Sequence, residues 1–433
     1  MQNRVNAFVD SIEADVIAHR RNFHRYPELG WHEIRTASLI ARQLAADGIP
    51  FKLGREVFKE DDRMGLPSQQ EMDANYQRAL VQGADPEYAP LFKDGFTGIV
   101  ATIGSGDGPT IALRFDIDAL PIEESTASDH FPTAQGFASE NQGIMHSCGH
   151  DGHAAIGLGV CKTLKHFEEQ LKAPVKIFFQ PAEEGVRGGK AMASSGELEG
   201  IQYLIAGHLS SKEGDNGYLS VKSREILATT KLDAVFTGKS AHAGAAPQDG
   251  KNALLAASTA ILNIHAIPRH AGGYSVANVG KVTAGTMRNG ICSDATLLIE
   301  TRGHSTAIND YLEANTLRIL KAAAEMYDCE LSISYQGSAE SCECDDELAD
   351  IARQVALEIP EYIQVVDNFE MVGSEDATYL MNRVKQQGGK ATYMTYGSLG
   401  GMGHHKPHFD IDESDMVLAV KLFSGMALRI QTS

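Results

Sequence analysis

The chain has no surplus of positive charge, no long apolar run and no CxxC pair. Against 57 Asp and Glu stand 38 Lys and Arg, a formal net charge of −19. That balance excludes the basic patch that a nucleic-acid or anionic-membrane partner calls for. It leaves small anionic substrates open, since a few local cations can capture them. No apolar run approaches the ~18 residues that span a bilayer. No early segment joins a basic start, an apolar stretch and a small-residue cleavage site, so secretion is not expected. Six cysteines, at 148, 161, 292, 329, 342 and 344, suggest no disulfide framework, Cys342 and Cys344 being too close in sequence. Free thiols in a cytoplasmic protein are the expectation. What remains is an ordinary soluble composition, 43% hydrophobic and 22% charged over 433 residues. The length suits two domains, or one large domain carrying an insertion.

Periodicity predicts a helix over the first 30 residues, with Val5, Phe8, Val9, Ile12 and Val16 at helical spacing, ended by Pro27 and Gly30. A second helix is expected near Thr36–Asp47. Residues 55–95 are polar, charged and without long periodicity, and read as a surface insertion or lid that could carry short helices of its own. Short apolar runs at 98–103, 110–115, 175–179 and 204–208 predict buried strands, with a helix over about 152–170. Several polar residues follow these strands directly, where ligands bind in open α/β sheets. From 227 to 337 a βαββαβ-like pattern predicts a smaller α+β domain inserted into the first. The catalytic domain would then comprise 1–226 and 338–433, an α/β fold with a central, mostly parallel sheet flanked by helices.

The densest chemistry lies in Met145-His-Ser-Cys-Gly-His-Asp-Gly-His153. Thiolate, imidazole and carboxylate are the protein ligands of zinc and similar ions. Cys148 and His150, two apart on a loop, can reach one metal centre. Glu183 and Glu184 follow a strand on a Pro-containing turn. One could bind metal while the other accepts a proton from water. Asp116 and Asp118 share one side of an extended segment, suited either to capping a strand end or to orienting a histidine. His208, the pair His404-His405, and His242 in Gly238–Pro247 are further candidates.

Met145–His153, Gln180-Pro-Ala-Glu-Glu-Gly185, Gly238–Pro247, His405-Lys-Pro, His24–Gly30 and Gly373–Ala377 together resemble the signatures of the M20 metallopeptidase and amidohydrolase family. The nearest branch cleaves aroyl- and acyl-amino-acid amides such as hippurate and indoleacetyl-amino acids. Gly54-Arg-Glu-Val57, Arg63–Pro67 and Gly95–Thr102 resemble the insertion and its flank in one group of this branch, which implies p-aminobenzoyl-glutamate as the substrate. The resemblance implies two divalent ions in each protomer, manganese or else zinc, held by Cys148, His150, Glu184, His208 and His405. It implies Glu183 as general base and Asp118 as a support behind the ligands. It further implies that His242 reaches a partner's site, and that Asn289 and Arg302 approach substrate. The partner would be a second copy or a related B subunit, docked through the inserted domain. One departure stands out: the family's Asn-Val-Ile/Val-Pro is Asn289-Gly-Ile-Cys292 here, and the glycine should loosen that loop.

Overall fold

The computed structural model describes residues 1–210, 216–398 and 403–432. Two compact units emerge: Met1–Arg224 with Glu343–Met371 and Asp376–Ser433, and Glu225–Cys342 with Val372–Glu375.

The first unit opens with α1 (Gln2–Ser11) and α2 (Glu13–Arg25). A single helix is expected from the spacing, but the chain breaks at Ile12, with φ −110° and ψ 5°, and restarts. The apolar stripe survives the break, so Val5, Val9, Ile12, Val16 and Phe23 all enter the core. Helix α3 (Ile34–Ala46) and strand β1 (Phe51–Leu53) follow. The polar segment beyond holds α4 (Gln69–Val81), started by a capping box between Ser68 and Glu71. Strands β2 (Ile99–Ile103) and β3 (Ile111–Asp116), helix α5 (His150–His166), and strands β4 (Val175–Gln180), β5 (Tyr203–Leu209) and β6 (Tyr218–Ser220) complete this segment's main elements.

The second unit runs β7 (Ala228–Thr237), α6 (Ala253–His265), β8 (Ser275–Ala284), β9 (Asp294–Gly303), α7 (Thr306–Met326) and β10 (Glu330–Ala339). Its four strands form an antiparallel sheet in the order β10-β7-β9-β8. Asn252 and Ser305 cap the two helices by accepting the Leu255 and Ile308 amides. Leu232, Ala234, Phe236, Leu297 and Ile299 from the sheet and Ala256, Ala260, Ile264 and Leu320 from the helices make one small core.

The chain returns to the first unit as α8 (Asp346–Ala356), β11 (Gln364–Val366), α9 (Ala377–Gln386), β12 (Lys390–Tyr396) and α10 (Glu413–Thr432). Its eight-stranded sheet reads β1-β2-β4-β3-β5-β12-β6-β11. The middle, β4-β3-β5-β12, is parallel, and antiparallel pairs lie to either side. Helix α5 lies close on that middle because Gly157 has no Cβ; one there would meet Phe179 at 2.6 Å and Phe115 at 3.0 Å. Burying rings of this size contributes roughly 1.5–3 kcal/mol each. This packing fixes the carboxyl ends of β3, β4 and β5, and with them Asp118, Glu183 and His208. No helix of the described residues is long and apolar enough to cross a membrane.

Candidate metal centre

Gly149 takes a left-handed conformation (φ 88°), which turns the Cys148 loop directly into the helix that begins at His150. His150 Nδ1 lies 3.3 Å from Asp118 Oδ1, and its buried Nε2 has no hydrogen-bond partner among the described residues. His208 Nδ1 donates to the Leu209 carbonyl at 2.7 Å, which leaves Nε2 as a lone pair 3.5 Å from Cys148 Sγ. In each imidazole one nitrogen is held by an oxygen, and the other is placed where it could bind a metal.

His153 stands close to both but is chemically engaged. Its Nε2 accepts the Leu209 amide at 3.0 Å, and its Nδ1 meets Asp116 Oδ1 at 2.5 Å. Asp116 in turn takes Arg114 at 2.6 Å, and Arg114 also reaches Asp376 at 3.1 Å. That buried chain orients the strand ends and contributes no free donor.

Donor atoms of His150, Glu183 and Glu184 lie within 4.8 Å of one another, as do those of Cys148, Glu184 and His405, and of Cys148, His208 and His404. The sets overlap at Cys148 and Glu184, so the cluster can serve two neighbouring cations. Glu184 Oε1 is buried, has no hydrogen-bond partner among the described residues and faces His405 Nε2 at 3.5 Å. Asp118 organises the carboxylate side: Oδ1 accepts the Glu183 amide at 3.1 Å and Oδ2 the Glu184 amide at 2.9 Å. The turn is strained, with Ala182 at φ 53°, Val186 at φ 58° and, across the site, His405 at φ 60°. A left-handed β-branched residue is a true outlier, and such strain persists only where surroundings enforce it. Glu33 is one enforcer, its Oε1 accepting the Ala182 amide at 2.8 Å and its Oε2 the Thr97 hydroxyl at 2.6 Å.

Electrostatics favour cations here. Burial, then Glu184, Glu183 and Asp116, push the Cys148 thiol far up, so only a bound cation would hold it as thiolate. Burial and the neighbouring imidazoles keep His208 well below its ordinary range, and burial lowers His404 to about 4. Burial disfavours a His150 cation, but Asp116 and Asp118 outweigh it and raise the ring to about 10, so a metal there would have to displace its proton. Neutral His208 and His404 beside converging carboxylates fit a divalent metal pair.

The second unit carries the other expected residues. His242 is exposed, and its Nδ1 accepts the Gly244 and Ala245 amides at 3.1 Å each. A neutral ring so held keeps its proton on Nε2, an outward hydrogen-bond donor. The Asn289 loop is hydrogen-bonded rather than loose: its carbonyl accepts the Ala243 amide at 2.9 Å, and the Ile291 amide reaches Ala241 at 2.8 Å. Ladder pairing along both sides of Gly290 offsets the freedom that glycine brings. The Arg302 guanidinium is paired with Glu300, which also takes Lys231 at 3.3 Å. Arg302 lies eight residues along β9 from Asp294, the end nearer the Asn289 loop, a span of about 27 Å at ~3.4 Å per residue.

Some supporting groups have contacts that the motifs do not reveal. Arg20 is fully buried and pairs with Asp151 at 2.9 Å, with Glu413 at 3.1 Å and with Asp410. His24, one turn on, sits between Asp151 at 2.8 Å and Glu124 at 2.9 Å. Because Asp151 follows His150, this network seats the start of α5. Glu33 and His404 complete the set; His404 has as its only sequence signal its place beside His405.

A model of Peptidase family M20/M25/M40 matches residues 112–429. The chain belongs to that family. It is 43% identical over 426 residues to the A subunit of p-aminobenzoyl-glutamate hydrolase from Escherichia coli (strain K12), covering 98% of each protein. It is 42% identical, again over 98% of each, to the indole-3-acetyl-aspartic acid hydrolase of Enterobacter agglomerans. An aminobenzoyl-glutamate utilization protein from Klebsiella pneumoniae has the same fold, with TM-score 0.85 and 37% identity over 98% of both chains. A dinuclear metal binding M20 peptidase from Bacillus subtilis shares the fold at TM-score 0.66 and 24% identity, over 98% of this chain and 99% of that one. Family membership makes this chain a metal-dependent hydrolase.

Proposed function

We propose that the protein hydrolyses the amide of p-aminobenzoyl-glutamate to p-aminobenzoate and glutamate. The observation that carries the reading is the Asp118-held pair Glu183 and Glu184 beside two imidazoles with free Nε2 atoms. Likeness over nearly the whole chain to one component of a p-aminobenzoyl-glutamate hydrolase supports the substrate. A second conjugate of an acidic amino acid, indole-3-acetyl-aspartate, has comparable support. Both join an aryl acyl group to a dicarboxylic amino acid.

Cys148, His150, Glu184, His208 and His405 would hold two divalent ions. Bound there, such ions lower the pKa of a water and polarise an amide carbonyl. Glu183 takes the proton from the attacking water and delivers it to the leaving amide nitrogen. The Nε2–H of the partner subunit's His242 donates to the carbonyl oxygen as charge develops. Arg302 exchanges Glu300 for a substrate carboxylate through its bidentate fork. Manganese suits the carboxylate and imidazole share of the ligands, and the Cys148 thiolate makes zinc the alternative.

The partner reading draws support from the second unit by itself. Strand β8 is a sheet edge, and Leu254, Leu255, Leu262 and Val282 are exposed on this unit. An unpaired edge beside exposed apolar side chains suits strand pairing with another chain. Moreover, ~27 Å along β9 is too far for one small conjugate to touch both the Asn289–His242 pair and Arg302 of the same chain. Two chains sharing each site removes that conflict, whether the second is a copy or a B subunit.

A substrate panel with p-aminobenzoyl-glutamate, indole-3-acetyl-aspartate and benzoyl-glycine, run with metal analysis, tests the reading. The expected order places p-aminobenzoyl-glutamate first in kcat/KM. Preference for benzoyl-glycine would overturn the assignment, and preference for the indole conjugate would move it to that substrate.

A further inference from the structure

A cleft of about 610 Å³ lies against α2 and α3, and none of the metal-cluster residues lines it. Its wall contains Arg21, Arg25, Arg35, Arg42 and His19, and no Asp or Glu. In a chain of net charge −19 this is a pronounced local reversal. Carboxylates partner only half of the guanidinium groups: Arg21 meets Glu413 at 2.6 Å and Arg25 meets Glu140 at 3.1 Å.

Arg35 is the informative member. It is 4% exposed, and its guanidinium donates to the Gln82 carbonyl at 2.8 Å and to Asn22 Oδ1 at 3.0 Å while lying 4.2 Å from the Tyr26 ring centroid. The nearby Glu28 carboxylate accepts the backbone amides of Arg35 and Thr36, at 3.0 and 2.8 Å. No carboxylate pairs with the Arg35 or Arg42 guanidinium among the described residues. Hydrogen bonds to oxygen and the Tyr26 ring offset the burial of Arg35, and the exposed Arg42 adds a second guanidinium to the cleft wall. Guanidinium forks match phosphate and carboxylate oxygens, and the cleft has the size of a small-molecule site.

We propose that this cleft binds a small multivalent oxyanion, a diphosphate or a di- or tricarboxylate, at a site distinct from the metal cluster. The inference is independent of the hydrolase reading. Isothermal titration of the full chain with pyrophosphate, and separately with tricarballylate, at constant ionic strength tests it. The two probes separate phosphate from carboxylate chemistry. Arg42 is exposed, so Arg42→Gln should keep the fold, as a matching thermal melt would verify. One-site saturable binding of at least one probe is expected, weakened about tenfold in Arg42→Gln and more in Arg42→Glu. No saturable binding by either probe overturns the proposal. So does binding that both substitutions leave unchanged, which would place the anion at the metal cluster.

Discussion

Asp118 Oδ2 accepts the Glu184 backbone amide at 2.9 Å, while its other oxygen serves both the Glu183 amide and the His150 ring. One carboxylate thus sets the direction of two carboxylates and one imidazole. Asp118→Asn replaces an acceptor by an NH2 group that cannot take an amide proton. Metal affinity should fall about 10–100-fold, the usual effect of removing a group that orients ligands. Competition against a metallochromic chelator measures this. Unchanged affinity would reduce Asp118 to a strand-end cap.

Glu183 sits beside Glu184 but has a different proposed task. Glu183→Gln keeps the shape and removes the proton acceptor. Turnover should drop by about 10²–10⁴, with both metal equivalents retained. Full turnover in the metal-loaded variant would exclude Glu183 as the base. Loss of metal together with turnover would make it a ligand.

The ligand among His404 and His405 is open to direct assay. His405 Nε2 faces Glu184, whereas His404 Nδ1 lies 3.4 Å from Cys148 Sγ. His405→Ala should lose about one metal equivalent, and His404→Ala should retain both with weaker affinity. Elemental analysis after dialysis decides. The reverse pattern would transfer the ligand role to His404.

Local grammar explains what the sequence makes visible. Cys148 and His150 are readable because two donors and a turn glycine fall within three residues, and Glu183-Glu184 because they end an apolar strand. His153 is readable as a donor but not as an engaged one, since its Nε2 partner is the Leu209 amide, 56 residues on. Glu33 and Arg114 are silent for the same reason: their key contacts lie 149 residues away at Ala182 and 262 away at Asp376. In the polar segment, Ser68-Gln-Gln-Glu71 is a capping-box signature for α4. It is easily overlooked because few apolar residues on that helix are buried.

His24 and Glu124 give the fold a pH signature. Burial disfavours the His24 cation, but hydrogen bonds donated by its ring to Asp151 and Glu124 outweigh it and raise the pKa to about 9. Burial opposes the Glu124 anion, yet His130 and His24 lower it to about 2. The His24 contribution is complete below its unfolded value of 6.5 and is lost as pH rises through about 9. The Glu124 contribution is present above 4.5 and is lost as pH falls through about 2. Denaturant unfolding should therefore show an alkaline decline worth roughly 3 kcal/mol. His24→Gln should flatten that decline between pH 6 and 9. An equally steep decline in the variant would remove His24 as its cause.

Sharing of sites between chains is testable by mixing two inactive proteins. His242→Ala lacks the Nε2–H donor but keeps Glu183, and Glu183→Ala lacks the base but keeps His242. If each site combines Glu183 of one chain with the partner subunit's His242, a mixed dimer contains one complete site. Random reassortment of equal amounts makes half the dimers mixed, so activity should recover to about a quarter of the wild-type value. Recovery to that level requires a homodimer with shared sites. No recovery after verified exchange of chains would rule out sharing between copies of this chain. Restoration of activity only when a distinct related chain supplies the histidine would then identify the donor as a B subunit.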